Sequence, residues 1–373
     1  MSETETVIVE RKDFGLLFDA LKKRGYTIYG PTVQDQAILY DEIDSEKDLP
    51  IGWTDEQEAG HYRLLKRDDE ALFGYVVGPR SWKQFLHKPR VKLFSSHRSA
   101  DGSISFEPGD TEAIPRQAFI GVRSCELHAI AIQDKVFMGN GETDTHYARR
   151  RRENFVVAVN CGTAGATCFC ASMNTGPRVK RESAFDLAIT ELIDGGHRFL
   201  IEAGSRAGAE ILDELPSRSA TRDDRGAGAQ IMENTEKSLK RSLDTKGLPE
   251  SLLASFDHPR WDDVAERCLS CANCTMVCPT CFCTTVEDVS DISGDHAERW
   301  RRWDSCFTMD FTWMSAGSAR QSGKSRYRQW LTHKLATWEK QFGTSGCVGC
   351  GRCITWCPVG IDLVEEAEKL RTQ

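Results

Sequence analysis

Two cysteine runs constrain this chain more than any other feature. They are Cys268-x2-Cys271-x2-Cys274-x3-Cys278-Pro279 and Cys347-x2-Cys350-x2-Cys353-x3-Cys357-Pro358. Each matches the ligand run of two-cluster ferredoxins, including the proline after the fourth cysteine. Three cysteines at intervals of three, on a loop whose amides face inward, reach three irons of one cubane. The fourth cannot fold back onto that cubane and ligates the other cluster. One [4Fe–4S] cluster is therefore expected on Cys268, Cys271, Cys274 and Cys357, and a second on Cys347, Cys350, Cys353 and Cys278. Any fold must bring the runs together across the 68 residues between Cys278 and Cys347. Zinc is the competing occupant, because C-x2-C also builds zinc knuckles. Zinc takes four ligands, usually as two separated pairs, and gives no reason for three even spacings and a fourth cysteine before proline, twice over.

The full count is 15 Cys in 373 residues, and a chain of this length buries enough apolar surface to fold without disulfides. MSETETVIVE carries neither a basic leader nor an apolar run. No stretch approaches the roughly 18–20 apolar residues of a spanning helix. The expectation is a cytoplasmic protein with no membrane partner, whose thiols persist as ligands or free thiols. A net charge of −8 argues against nucleic acid. The charge is uneven: residues 1–60 hold 14 Asp/Glu and 6 Lys/Arg, while 299–334 hold 8 Lys/Arg and only Asp304 and Asp310. Either these are two solvated faces of opposite sign, or they dock different partners.

The first two-thirds pattern as mixed α/β. Phe14 to Arg24 has helical spacing and stops at Gly25. Strand-like runs cover Leu72 to Val77, Ala118 to Val122, Phe155 to Val159 and Phe199 to Glu202, and helical patterns cover Glu126 to Phe137 and Ser183 to Ile193. Strands alternating with helices suggest a partly parallel sheet covered by helices. The polar, Gly/Ser-rich stretch Pro216 to Ala229 suggests a boundary or exposed loop. Beyond it only helices are expected, at Trp261 to Arg267, at Arg326 to Phe342 and after Pro358. The fold class is thus an N-terminal α/β domain (1–215), a linker or helical connection (216–250) and an α-helical dicluster ferredoxin domain (251–373).

Seven cysteines remain. Cys125 and Cys161 each follow a predicted strand, where sites collect in parallel sheets. Cys161-x6-Cys168-x-Cys170 lies in the loop CGTAGATCFC, small and flexible enough to wrap a cubane. Cys125, Cys161, Cys168 and Cys170 supply the four thiolates of a third [4Fe–4S] cluster; the alternative is buried structural thiols. Thr-Cys-Phe-Cys occurs at 167–170 and again at 280–283. Either both copies face one site, or Cys281 and Cys283 are packing residues near the second cluster, and packing is favoured. Cys306 is expected in the core. His128 lies where it could tune a cluster, though a structural role is the commoner one. No catalytic side-chain arrangement, P-loop or EF-hand loop occurs, and no G-x-G-x-x-G opens a helix, so no nucleotide or flavin site is expected in this chain.

The long gap between the runs resembles the α-helical ferredoxin modules of redox complexes. Nearly the whole chain resembles the iron–sulfur beta subunit of soluble sulfhydrogenase-type [NiFe] hydrogenases, with an iron–sulfur component of anaerobic sulfite reductases as a relative. The resemblance rests on Gly30-Pro-Thr-Val-Gln-Asp, Asp48-Leu-Pro-Ile-Gly-Trp53, Gly121-Val-Arg-Ser-Cys-Glu-Leu-His-Ala129, Cys168-Phe-Cys170-Ala-Ser-Met, Cys268 to Cys283, Trp303-Asp-Ser-Cys306-Phe and Gly346-Cys-Val-Gly-Cys-Gly-Arg-Cys353. The family usually has Pro-Cys-Asp where Ser124-Cys125-Glu126 stands here. The resemblance implies electron transfer between the hydrogenase small and large (NiFe) subunits and a flavin/NAD(P)-binding reductase subunit. In the sulfite reductase relatives the terminal partner is a sirohaem-type reductase instead.

Overall fold

A computed structural model describes residues 6–110, 113–139 and 141–371. The N-terminal part is sheet-rich. Its main sheet has eight strands in the spatial order Arg218–Ser219, Thr6–Glu10, Arg198–Ala203, Leu187–Leu192, Phe155–Val159, Arg116–Arg123, Tyr26–Gln34 and Ala37–Glu42. Leu187–Leu192 through Tyr26–Gln34 pair in parallel, and the outer pairings are antiparallel. Phe155–Val159 is buried along its whole length, as a strand covered on both faces must be. Helix Leu16–Lys23 packs Leu17, Phe18 and Leu21 into one core beside Phe14, which precedes it, while Trp82, Phe119, Leu127 and Tyr147 fill another on the opposite side.

Four expectations are corrected. Ser183 to Ile193 is not helical: Leu187–Leu192 is a central strand, buried at every position but Glu191. A run that is apolar on both faces carries no diagnostic period. Leu72 to Val77 is not a strand, although it is buried. Its amides and carbonyls are met by side chains: Leu72 and Phe73 N–H donate to the Glu191 carboxylate at 2.7 and 2.9 Å, and Val76 N–H to Asp55 at 2.7 Å. Arg123 donates to the carbonyls of Phe73 and Tyr75. A buried loop is tolerable only with its backbone satisfied in this way.

Pro216 to Ala229 is not a loop throughout, because helix Arg222–Lys237 begins inside it. Thr221 and Asp224 close a capping box there, and Arg198 and Arg218 clamp Asp224. The last third is not all helical either. Thr284–Ser290 and His296–Trp303 form a hairpin that pairs with Arg90–Arg98, and Ile104–Pro108 completes this second, four-stranded sheet. The expected basic stretch is largely neutralised within the chain. Arg299 pairs with Asp288, Arg302 with Glu287, Arg301 with Asp144 and Lys324 with Asp262, while Lys334 is buried. Among the described residues no helix is long and apolar enough to cross a membrane.

Candidate iron–sulfur centres

The two cysteine runs share one backbone shape. In the first, Ser270 and Ala272 are left-handed (φ 51° and 67°); in the second, Gly349 and Gly351 occupy the same offsets (φ 64° and 73°). Each loop leads into a single helical turn, Asn273–Met276 or Arg352–Thr355. Left-handed residues placed this way turn amides inward, making a concave nest for anions. Ser270 N–H donates to Cys268 Sγ and Gly349 N–H to Cys347 Sγ, both at 3.4 Å, and Ile361 N–H donates to Cys357 Sγ at 3.3 Å. At Ser270 and Ala272 the conformation costs roughly 1–2 kcal/mol each, strain of the kind that persists where a site over-determines the backbone.

The folded chain gathers its thiols into three groups. Cys268, Cys271, Cys274 and Cys357 line one small cavity, with Tyr327, Trp330 and Phe307 behind them. Cys125, Cys161, Cys168 and Cys170 line another. Cys278, Cys347, Cys350 and Cys353 lie between: burial first, then the nearness of Cys347, Cys350 and Cys278, drives the Cys353 thiol well above its ordinary range. Burial likewise pushes Cys168 and Cys347 up to about 12. Thiols crowded in dry cavities resist ionising until a cation compensates the charge, so metal binding here must expel protons.

Among the described residues, no three His, Cys, Asp or Glu side chains converge as ligands of a single ion. Thiolates of a cubane bind four different irons and stand farther apart than the ligands of one ion. The donor chemistry, the amide-to-sulfur hydrogen bonds and the cavities fit [4Fe–4S] clusters, whose potentials respond to these same hydrogen bonds, to burial and to net charge.

The groups adjoin one another. Cys350 also lines the cavity of Cys125, Cys161, Cys168 and Cys170, and Cys353 also lines that of Cys268, Cys271 and Cys274. The join is tight. Phe169 N–H donates to Gly349 O at 2.9 Å, and a Cβ on Gly349 would lie 2.7 Å from the Phe169 backbone. Phe169 itself inserts into the core of the C-terminal part, beside Trp261, Trp330 and Ile354. The two Thr-Cys-Phe-Cys copies therefore do not face one cavity. The first packs against Gly349 and Cys350, and in the second the Cys281 thiol meets Cys278. Cys306 is paired with Cys283 and lines none of the described cavities. His128 stands in the field of Lys180 and Glu182 rather than at a thiol.

Several polar residues were invisible to motif reading. Glu126, 1% exposed, accepts from Arg352 at 2.5 Å, Tyr40 Oη–H at 2.8 Å, Trp82 Nε1–H at 3.1 Å and Arg123 N–H at 3.2 Å. Arg352 lies within the second cysteine run, so this buried ion pair ties it to the strand-to-helix turn that carries Cys125.

Asp55 sits beside this region, bonded to Val76 N–H and Gln57. Burial raises its carboxyl to about 6, with those hydrogen bonds opposing. A raised folded value means the native state binds the proton more tightly. Its contribution is therefore most favourable below about pH 4 and is lost as pH rises through about 6. Asp55→Asn should remove a penalty of at most about 3 kcal/mol at neutral pH, less about 1 kcal/mol for the hydrogen bond that its amide cannot accept from Gln57. Urea unfolding of both proteins across that range checks this: the difference between them should grow with pH and then level off.

A family model described as a 4Fe-4S dicluster domain matches residues 267–361. The chain is also similar to Sulfhydrogenase 2 subunit beta of Pyrococcus furiosus. The two are 30% identical over 361 residues, which cover 96% of each chain. A 4Fe-4S dicluster domain thus occupies the C-terminal end.

Proposed function

The chain belongs to the family of sulfhydrogenase beta subunits, and on that premise we propose that it is the electron-transfer iron–sulfur subunit of a cytoplasmic [NiFe] hydrogenase complex. It passes electrons between the hydrogenase small and large subunits and a flavin/NAD(P)-binding subunit. One [4Fe–4S] cluster is held by Cys268, Cys271, Cys274 and Cys357, and a central one by Cys347, Cys350, Cys353 and Cys278. A third is held by Cys125, Cys161, Cys168 and Cys170. The four parallel strands and helix Ser124–Met138 support an α/β domain over 1–215, with the dicluster domain over 251–373.

The observation that carries this reading is the shared borders. Cys350 and Cys353 belong to the central set and line the cavities on either side of it, so three clusters would stand in series. Such clusters supply sequential one-electron transfer; the protein's own part is to hold them adjacent, exclude water and set their potentials. The series has an exposed end, where Cys271 reaches solvent beside Leu269. A partner's redox centre can approach there.

Isolating the native complex anaerobically through a tag on this chain provides the test. Nickel and flavin should copurify with the iron; sirohaem in place of nickel would assign the chain to a sulfite-reducing assembly instead.

A further inference from the structure

Lys334 is a lysine where apolar packing would be expected. It is 2% exposed, in the π-helical turn His333–Thr337 that interrupts the helical stretch between Gly323–Thr332 and Trp338–Phe342. One extra residue in a turn rotates the following side chains by about 100° relative to a regular helix, and such turns are frequent at functional sites. The Nζ lies 3.2 Å from Cys278 Sγ, 3.4 Å from Cys281 Sγ, 3.3 Å from Gly346 O and 3.5 Å from Thr280 Oγ1. All three ammonium protons thus have acceptors. Among the described residues no carboxylate pairs with it, although a buried ammonium without a counter-charge is costly. Among the described residues, the groups at hand to supply that counter-charge are the sulfurs of Cys278 and Cys281.

The neighbouring sets differ. Lys83, buried and donating to the Cys281 carbonyl, adds a second cation near Cys278, and Arg352, already paired with Glu126, borders Cys350; no described lysine or arginine is hydrogen-bonded to the sulfur of Cys268, Cys271, Cys274 or Cys357. Cationic donors at ligand sulfurs stabilise the reduced, more negative cluster and so raise its potential.

We propose that Lys334 is a potential-setting residue. Its buried ammonium, on the sulfurs of Cys278 and Cys281, holds the central cluster at a higher reduction potential than the cluster of Cys268, Cys271, Cys274 and Cys357. An electron entering at the exposed end then runs inward and rests at the centre. One electron leaves the outer cluster and one arrives at the central cluster; no bond changes, and no proton need move, because the ammonium is already fully donated. Cys281, whose sulfur also accepts from Lys334, belongs to the same device.

The inference rests on the ligand assignment proposed above, and the experiment separates the two. Anaerobically purified Lys334→Met is titrated by EPR spectroelectrochemistry beside wild type, with iron measured in each. One cluster signal should shift to lower potential by at least tenfold in its one-electron equilibrium, which is 59 mV, while Lys334→Arg stays near wild type. An unmoved set of midpoints with iron retained overturns the role of Lys334 alone; a wild-type chain that holds no cubane signals overturns the ligand assignment. If Lys334→Met fails to fold, wild type grown with Nζ-15N-lysine decides. The reduced central cluster should show a 15N hyperfine coupling that disappears in Lys334→Arg, and no coupling in wild type overturns the proposal.

Discussion

Cys168→Ala should lower the iron of the anaerobically purified chain from about twelve atoms to about eight, a whole cubane and not a fraction of one. Cys168, Cys125 and Cys170 are each less than a tenth exposed and line one cavity with Cys161. Alanine leaves three thiols of the proposed set; the other lining thiol, Cys350, is assigned to the central set, and no carboxylate or imidazole among the lining residues can substitute. The two C-terminal sets do not use Cys168 and should keep their iron. Cys306→Ala is the matched comparison: its thiol meets Cys283 and lines none of the described cavities, so that variant should retain all twelve. Equal iron in wild type and Cys168→Ala would mean that the N-terminal thiols are structural.

Glu126→Ala should be the most destabilising polar substitution in the protein, costing about 3–5 kcal/mol. The change strands the Arg352 guanidinium, which is fully buried and meets no other carboxylate. It also orphans three buried donors, on Tyr40, Trp82 and Arg123. Against total stabilities of about 5–15 kcal/mol, that is a large share. The penalty should concentrate at the junction of the two parts, since Arg352 also donates to the carbonyls of Gly78 and Arg80. Replacing both partners, as Glu126→Leu with Arg352→Met, removes the uncompensated charge and should recover much of the loss. Denaturant unfolding of the loaded chain measures all three; a cost below about 1 kcal/mol for Glu126→Ala would refute the role given to this pair.

Much of the site was legible in the linear chain because its rule is local. A ferredoxin run specifies its own loop: cysteine spacing sets which irons can be reached, and proline ends the turn. Helices with clear amphipathic spacing or a cap were equally readable, as in Leu16–Lys23 and in Leu363–Lys369, capped by Asp362. The capping box of Thr221 and Asp224 was readable too, but the Gly/Ser-rich composition around it masked it. Leu187–Leu192 and Leu72 to Val77 failed for a different reason. Both are apolar runs without period, and only their surroundings decide whether ladder bonds or side chains satisfy their backbone.

By itself, then, the amino-acid sequence singled out the eight C-terminal thiols and the four N-terminal candidates, and it led to the expectation that the two runs exchange their fourth ligands. Tertiary structure alone decided that Cys350 and Cys353 border the flanking cavities, that Glu126 meets Arg352 across 226 residues, and that Lys334 reaches Cys278 across 56. No periodicity encodes such contacts. They exist because burial forces each polar group to find a partner, and the closed fold determines which partner is within reach.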